Sequence, residues 1–241
     1  MGNSYFQFKQ FTVQQSQTAM KVCTDACLFG AWLAQQIRTL ALPHTTLLDV
    51  GTGTGVLSLQ IAQACPQASI TAIEIDTLAA AQASDNFERS PFTARLHSLQ
   101  ADVTKWQPTA LYDGVFSNPP FYENDIKSSN EAKNRAHHST ALTLQQLFAT
   151  IASYQHTPDW LALLLPYKRH TDAMQLATNF GWYLAANTLV QQTPQHAYFR
   201  TMLVWRNKNT KNPLYSTLTI QDKGNYTAAF TALLQPYYLK L

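Results

Sequence analysis

The tetrapeptide Asn118-Pro119-Pro120-Phe121 is the stretch of this chain whose residue types say most about chemistry. A residue that precedes proline is held extended, so Asn118 and Pro119 are both kept out of a helix. Neither proline offers an N–H donor. The turn is therefore rigid and rich in acceptors: the Asn118 side-chain oxygen and the Pro119 carbonyl. Two fixed acceptors fit a planar amino group with two N–H donors, and Phe121 offers a flat face to the ring that carries it. An amine conjugated to an aromatic ring is a poor nucleophile, because its lone pair is delocalised. Acceptors on both N–H bonds favour a pyramidal nitrogen and stabilise the positive charge that grows on it during attack on an electrophile. Each such bond is worth about 2–4 kcal/mol in the transition state. No strong general base is needed, since the product ammonium loses its proton readily.

A site for the electrophile is carried by residues 47–59, Leu-Leu-Asp-Val-Gly-Thr-Gly-Thr-Gly-Val-Leu-Ser-Leu. An apolar run ends in Asp49, glycines follow at 51, 53 and 55, and an amphipathic pattern starts at Val56. This predicts a buried strand, a tight turn and a helix N-terminus, where backbone can approach a nucleotide-like ligand closely. An unpaired carboxylate at the end of a buried strand is costly, so Asp49 calls for a reason. Val56 stands where the dinucleotide fingerprint wants Gly or Ala, which disfavours a nicotinamide enzyme. The D-x-G-x-G-x-G loop resembles the S-adenosylmethionine (SAM) loop of Rossmann-like methyltransferases.

The elements that must position these two stretches alternate along the chain. Residues 5–13 read as a strand or extended arm, and 25–42 as an amphipathic helix capped by Thr24 or Asp25 and ended by Pro43. Strands are predicted at 46–50, 69–74, 94–99, 112–117 and 160–165, with helices at 55–64, 77–88, 143–155 and 170–180. Strands 183–192 and 197–206 read as an antiparallel pair, followed by a strand at 214–220 and a helix at 226–235. The pattern predicts an α/β, Rossmann-like doubly wound fold. Its sheet is mostly parallel and seven-stranded with one reversed strand, and an N-terminal arm is added. The chain reads as one domain, with an arm and helix at 1–43, a core at 44–206 and a C-terminal extension at 207–241. In an open parallel sheet the ligand lies beyond the carboxyl ends of the strands. Glu74 ends the second core strand about twenty residues after the loop, placed to accept ribose hydroxyl protons. Asp76 is placed to cap the next helix. Asp102 follows the third, placed to accept from an adenine amino group, with Val103 beside the ring.

Composition narrows the substrate. Residues 1–126 hold 6 Lys/Arg against 10 Asp/Glu (net −4), and residues 127–241 hold 11 against 4 (net +7). A polyanionic substrate meeting the C-terminal half is expected. Lys168, Arg169, Arg200, Arg206, Lys208 and Lys211 are candidate phosphate contacts. Lys127, Lys133, Arg135, His137 and His138 fall in a polar segment, 123–140, that reads as a lid closing over an extruded base. The three cysteines, Cys23, Cys27 and Cys65, lack partners for a four-ligand metal site, so no metal is expected and reduced thiols in the cytoplasm are. No apolar run approaches the ~20 residues of a membrane span, and the N-terminus has no apolar signal region. Neither a membrane nor an obligate protein partner is expected, and the chain is read as a monomer or weak dimer.

The tetrapeptide is similar to the (D/N/S)-P-P-(Y/F/W) motif of amino-group methyltransferases, which act on adenine, cytosine, guanine or glutamine amide nitrogens. The resemblance narrows in the arm. Phe6-Gln-Phe-Lys-Gln-Phe-Thr-Val13 with Met20-Lys-Val-Cys-Thr-Asp-Ala-Cys-Leu-Phe-Gly-Ala-Trp32 resembles the opening of the bacterial tRNA1(Val) adenine-37 N6-methyltransferases. Tyr226-Thr and Tyr237-Tyr-Leu resemble that family's C-terminus. The resemblance implies SAM as donor and a tRNA anticodon-loop adenine as acceptor. It assigns SAM binding to Asp49, Gly51, Thr52, Gly53, Gly55, Glu74, Ile75, Asp102, Val103 and Asn118, and the target base to Asn118, Pro119, Pro120 and Phe121. Lys21, Thr24 and Asp25, before or at the start of helix 25–42, are candidates for the methionine end of SAM. Asp25 reads equally as a helix cap. RNA contacts are expected from Lys133, Arg135, His137, Lys168, Arg169, Arg200, Arg206 and Lys208. Phe121 keeps the stacking face that Tyr gives in adenine enzymes and is frequent in guanine N2-methyltransferases. Guanine N2 and protein glutamine therefore stay open as acceptors, as does a non-catalytic nucleotide-binding module.

Overall fold

The computed structural model describes residues 3–18, 20–119 and 142–241. At its centre lies β3 (Thr46–Val50), whose last four residues are all buried. β4 (Ser69–Glu74) pairs with one side of it and β6 (Gly114–Ser117) with the other, both parallel. β5 (Leu96–Gln100) lies outside β4, and β7 (Trp160–Pro166) outside β6, again parallel. β9 (Tyr198–Arg206) runs antiparallel to both β7 and β8 (Tyr183–Gln191), so it is the reversed strand that the sequence predicts. Among the described residues the sheet has eight strands rather than seven, because β10 (Leu214–Thr219) adds to the edge, parallel to β8. This is the strand predicted at 214–220; only its Leu218 is buried, so nothing in its apolar pattern tied it to the main sheet. Side chains hold it in register: Thr188 Oγ1 and Ser216 Oγ lie 2.7 Å apart, and Gln191 Nε2 donates to Thr219 Oγ1 at 2.9 Å.

Two helical layers cover the sheet. One apolar core lies under α1 (Thr24–Thr39), α2 (Val56–Ala64), α3 (Thr77–Glu88) and α6 (Ala228–Leu234). The other lies under α4 (Leu144–Ala152) and α5 (His170–Asn179). Cys23 is the N-cap of α1, with no side-chain cap bond, in place of the expected Thr24 or Asp25. Asp76 caps α3 as expected, its Oδ1 accepting from the Ala79 amide at 2.8 Å. The C-terminal end of α2 is closed by a side chain from the 3₁₀ turn Thr93–Arg95 that leads into β5. Arg95 donates to the carbonyl of Ala62 in the last turn of the helix at 2.9 Å, and to those of Cys65 and Ala68 just beyond it at 3.2 and 2.7 Å.

The N-terminal arm is the hairpin β1 (Tyr5–Gln7) and β2 (Thr12–Gln14), sealed by rings. Phe8 stacks on Phe11 at 4.5 Å between centroids and meets Tyr238 of the tail edge-on at 5.8 Å. Fully buried Asn86 of α3 fastens the arm to the glycine turn. Its amide donates to the carbonyls of Gln14 and Thr54, both at 2.9 Å, while its oxygen accepts from the Gln14 amide at 2.7 Å.

Gly114 sits opposite Trp160 in the β6–β7 pairing, and the indole lies across it with Nε1 donating to the Pro43 carbonyl at 2.7 Å. A Cβ at 114 would fall 1.9 Å from the Trp160 ring, whereas one at Gly181 would meet nothing within 4 Å. Gly114→Ala should therefore lower the free energy of unfolding by about 3 kcal/mol or more through overpacking. Gly181→Ala, at φ +77°, should cost about 1 kcal/mol of backbone strain. Urea titration of the two variants checks the order, and equal losses would contradict it.

Candidate functional site

The register aligns the carboxyl ends of three strands. Asp49 pairs with Ala72 and Phe116, and Val50 with Ile73 and Ser117. The glycine turn leaves β3 at this level. Gly51, Gly53 and Gly55 all adopt positive φ, at 73, 57 and 82°. Their reasons differ. A Cβ at Gly51 or Gly53 would meet nothing within 4 Å, so these two leave an open cradle of bare backbone, while a Cβ at Gly55 would strike the Phe87 ring at 2.5 Å. Gly55 is thus a packing glycine at the N-cap of α2.

Asp49 holds this turn in shape. It is completely buried, and one oxygen, Oδ2, accepts from the hydroxyls of both Thr52 and Ser58 at 2.7 Å. Thr52 is on the turn and Ser58 on the first turn of α2, so one carboxylate joins strand, loop and helix. Its Oδ1 is buried without a hydrogen-bond partner among the described residues. Burial pushes the Asp49 carboxyl up from 3.8 to about 6, against the pull of the Ser58 and Thr52 hydroxyls. The turn is also pinned from β4. The amides of Gly51 and Thr52 donate to the Ile73 carbonyl at 2.8 and 3.1 Å, and that of Gly53 donates to Glu74 Oε2 at 2.9 Å. Ser58 escaped the sequence reading. The available signal was a hydroxyl set among Val56, Leu57 and Leu59 on an otherwise apolar helix start.

The second and third strand ends bring Glu74 and Asp102 to the same edge. Glu74 Oε1 accepts from the amides of Ile75 and Asp76 at 2.9 and 3.0 Å, so its carboxylate is fixed by backbone on both oxygens. Ile75 beside it is 46% exposed, an apolar face held out at the site. Asp102 Oδ1 accepts from the Thr104 hydroxyl and amide at 2.7 and 3.0 Å, and Lys105 Nζ lies 3.1 Å from Oδ2. These partners hold its carboxyl below the usual range, the Thr104 hydroxyl most of all. Val103 departs from the expectation of a ring contact: it is buried in the core under α4, and its side chain packs there.

The fourth strand end carries Asn118 and Pro119. Buried Ser117 donates to the Val50 carbonyl at 2.6 Å, which ties the residue before Asn118 to the residue before Gly51. Asn118 Oδ1 is buried and has no hydrogen-bond partner among the described residues. A buried acceptor that no described residue partners fits one kept for an N–H donor on a ligand. Pro120, Phe121, Lys133, Arg135, His137 and the expected lid lie outside the described residues.

The remaining candidates divide between the two ends of the sheet. Asp25, at the start of α1 and expected at the cofactor, is paired at 2.8 Å with Arg200, which is expected at the RNA. Exposed Thr24 precedes them on α1, and Lys21 Nζ lies 3.5 Å from the Asn3 carbonyl. Lys168 and Arg169 follow the end of β7, level with Arg200, which pairs with Pro166. Arg206 pairs instead with Trp160 at the start of β7, and Lys208 Nζ lies 3.8 Å from Asp159. Six residues of strand separate the two levels, about 20 Å at 3.3 Å per residue. Arg206 and Lys208 are therefore not brought together with the site.

The raised Asp49 carboxyl gives a pH signature. Between pH 3.8 and about 6 the folded chain holds a proton that the unfolded chain releases. Stability from this group is full below that window and is lost as pH rises through it. Asp49→Asn can keep one oxygen for Thr52 and Ser58 while removing the charge. Across pH 4–7, urea titration should find wild type losing up to about 3 kcal/mol more than the variant; parallel profiles would contradict this assignment.

Comparison with known proteins agrees with this geometry. Residues 30–147 match the model of the Methyltransferase small domain. The tRNA1(Val) (adenine(37)-N6)-methyltransferase of Dyadobacter fermentans is 36% identical, over 99% of this chain and 98% of its own. That of Flavobacterium psychrophilum is also 36% identical, over 98% of this chain and all of its own. Among solved structures, one described as a predicted O-methyltransferase from Agrobacterium tumefaciens superposes with a TM-score of 0.65. It covers 88% of this chain and 96% of its own at 18% identity, a likeness of fold alone. Relatives this similar over their full length show that the chain belongs to the tRNA1(Val) (adenine(37)-N6)-methyltransferase family.

Proposed function

We propose that this protein transfers a methyl group from SAM to the exocyclic N6 of an adenine in tRNA, at position 37 of tRNA1(Val) as its relatives' names indicate. The observation that carries the reading is Asn118 Oδ1, a buried acceptor without a partner among the described residues, held beside the glycine turn by the Ser117–Val50 bond. The protein residues at the donor site fit SAM by their chemistry. Bare backbone at Gly51 and Gly53 admits close approach, Glu74 offers a carboxylate to a ribose diol, and Ile75 offers an apolar face. SAM supplies an electrophilic methyl on a sulfonium. Asn118 and the Pro119 carbonyl accept from the adenine amine and stabilise the charge that develops on its nitrogen. Phe121 stacks on the base. The amine needs no catalytic base, and its surplus proton passes to water after transfer.

The whole chain acts as one catalytic domain, as a monomer or weak dimer, in the cytoplasm where tRNA is processed. Among the described residues, no helix is long and apolar enough to cross a membrane. Lys168, Arg169 and Arg200 lie at the catalytic end of the sheet and suit the approach of a polyanion.

Incubation with SAM and total tRNA, followed by nucleoside mass spectrometry, should yield N6-methyladenosine. N2-methylguanosine would overturn the choice of base, and label surviving ribonuclease treatment would overturn RNA as the acceptor. In the same assay Asn118→Ala should slow transfer by about 10²–10³-fold with SAM affinity near wild type, whereas Glu74→Ala should weaken SAM binding itself. Calorimetry separates the two, and a fully active Asn118→Ala enzyme would sink the mechanism.

A further inference from the structure

Two tyrosines, Tyr167 exposed and Tyr198 half-buried, close the catalytic end of the sheet, and the methyl-transfer site uses neither. Tyr167 follows directly on β7, in the single 3₁₀ turn Tyr167–Arg169 that leads into α5, and it is 39% exposed. Tyr198 begins β9, which runs the other way, so it arrives at the same end. Their rings meet at 5.5 Å between centroids and 63°, edge to face. On its other side Tyr167 lies over the His170 ring at 5.9 Å and 27°. The His170 ring is itself fixed, with Nδ1 3.1 Å from Thr201 Oγ1, and burial holds its pKa below the ordinary value. Tyr167 thus has two aromatic neighbours and is still 39% exposed.

The place of this cluster is set by register. Ser117 pairs with Leu163 across β6 and β7. Asn118 is one residue beyond the first and Tyr167 four beyond the second. With strands ~4.8 Å apart and ~3.3 Å of rise per residue, Tyr167 stands about 11 Å from Asn118. That is the span to a nucleotide neighbouring the one whose amine Asn118 holds. Basic residues interleave with the rings in both segments, Tyr167-Lys168-Arg169-His170 and Tyr198-Phe199-Arg200. The Arg200 guanidinium also lies 5.3 Å from the Phe199 ring centre. Rigid aromatic faces interleaved with cations are the chemistry that holds unpaired bases along a phosphate backbone.

We propose that Tyr167 and Tyr198 form a second stacking platform, which holds an unpaired RNA base flanking the target nucleotide. The proposal rests on the RNA reading above and goes beyond it, because it assigns part of substrate affinity to rings remote from the reacting nitrogen. The test is fluorescence anisotropy of labelled tRNA with the full chain, wild type and Tyr167 and Tyr198 variants, with SAM calorimetry on each. Tyr167→Ala and Tyr198→Ala should each weaken tRNA binding about ten-fold. Tyr→Phe at either position should stay within about two-fold of wild type, because the ring face is kept. Tyr→Leu should lose as much as alanine. SAM affinity should be unchanged throughout, and the maximal transfer rate at saturating tRNA should be nearly so. Alanine variants that bind tRNA like a wild type that also methylates it would overturn the platform and leave the RNA reading standing. Leucine variants that bind like phenylalanine would overturn stacking in favour of packing. A wild type that neither binds nor methylates tRNA would overturn both.

Discussion

A single buried carboxylate sets the geometry on which the rest of this structure depends. Among the described residues Asp49 forms no ion pair; it is fully buried, and the hydroxyls of Thr52 and Ser58 both donate to one of its oxygens. Burying a charge this way is costly, and its raised pKa is the measure of that cost. What it secures is a turn whose backbone takes three positive-φ residues in five and still keeps one shape. Without a fixed loop there would be no open cradle at Gly51 and Gly53, and the amides that pin it to Ile73 and Glu74 would have nowhere definite to point. Cost and function therefore meet at one atom group, as expected where a fold gives up stability for a preorganised site.

The other parts of the site are placed by parallel-sheet register acting on that fixed point. β4 brings Glu74 to the loop, and β6 brings Asn118 to it through the Ser117–Val50 bond. Three neighbouring strand ends thus present an open backbone, a fixed carboxylate and an acceptor that no described residue partners, all on one edge. Arm and tail work on the reverse side: Asn86 carries the arm to the loop, and the Phe8–Tyr238 contact closes the chain ends on each other. The long-range contacts of the termini therefore bear on the same glycine loop.

Much of this was legible in residue order, because the signals were local. The apolar run before Asp49, three alternating glycines, an acid ending the next strand and an Asn-Pro-Pro turn each state their own conformation. Less legible was whatever depends on a partner far away in sequence. Asp25 reads as a cap or a ligand until Arg200 is found beside it, 175 residues on. Val103 reads as a ring contact until the core under α4 claims it. Basic residues at 200 and 206 read as one patch, yet a single strand carries them to opposite ends of the sheet. The strand at 214–220 was legible, but its place in the main sheet was not: β10 is mostly exposed, and its pairing with β8 is secured by hydroxyl and amide bonds to residues about 28 positions earlier.

Asp49 shapes the glycine turn offered to SAM, and calorimetric titration of SAM into Asp49→Ala at neutral pH tests that role most directly. Losing the shared oxygen releases Thr52 and Ser58 together, bonds to a charged group worth about 1.5–3 kcal/mol each. SAM affinity should fall by at least about ten-fold, while unfolding stays cooperative because the two apolar cores are untouched. An Asp49→Ala protein that folds and binds SAM as tightly as wild type would contradict the account.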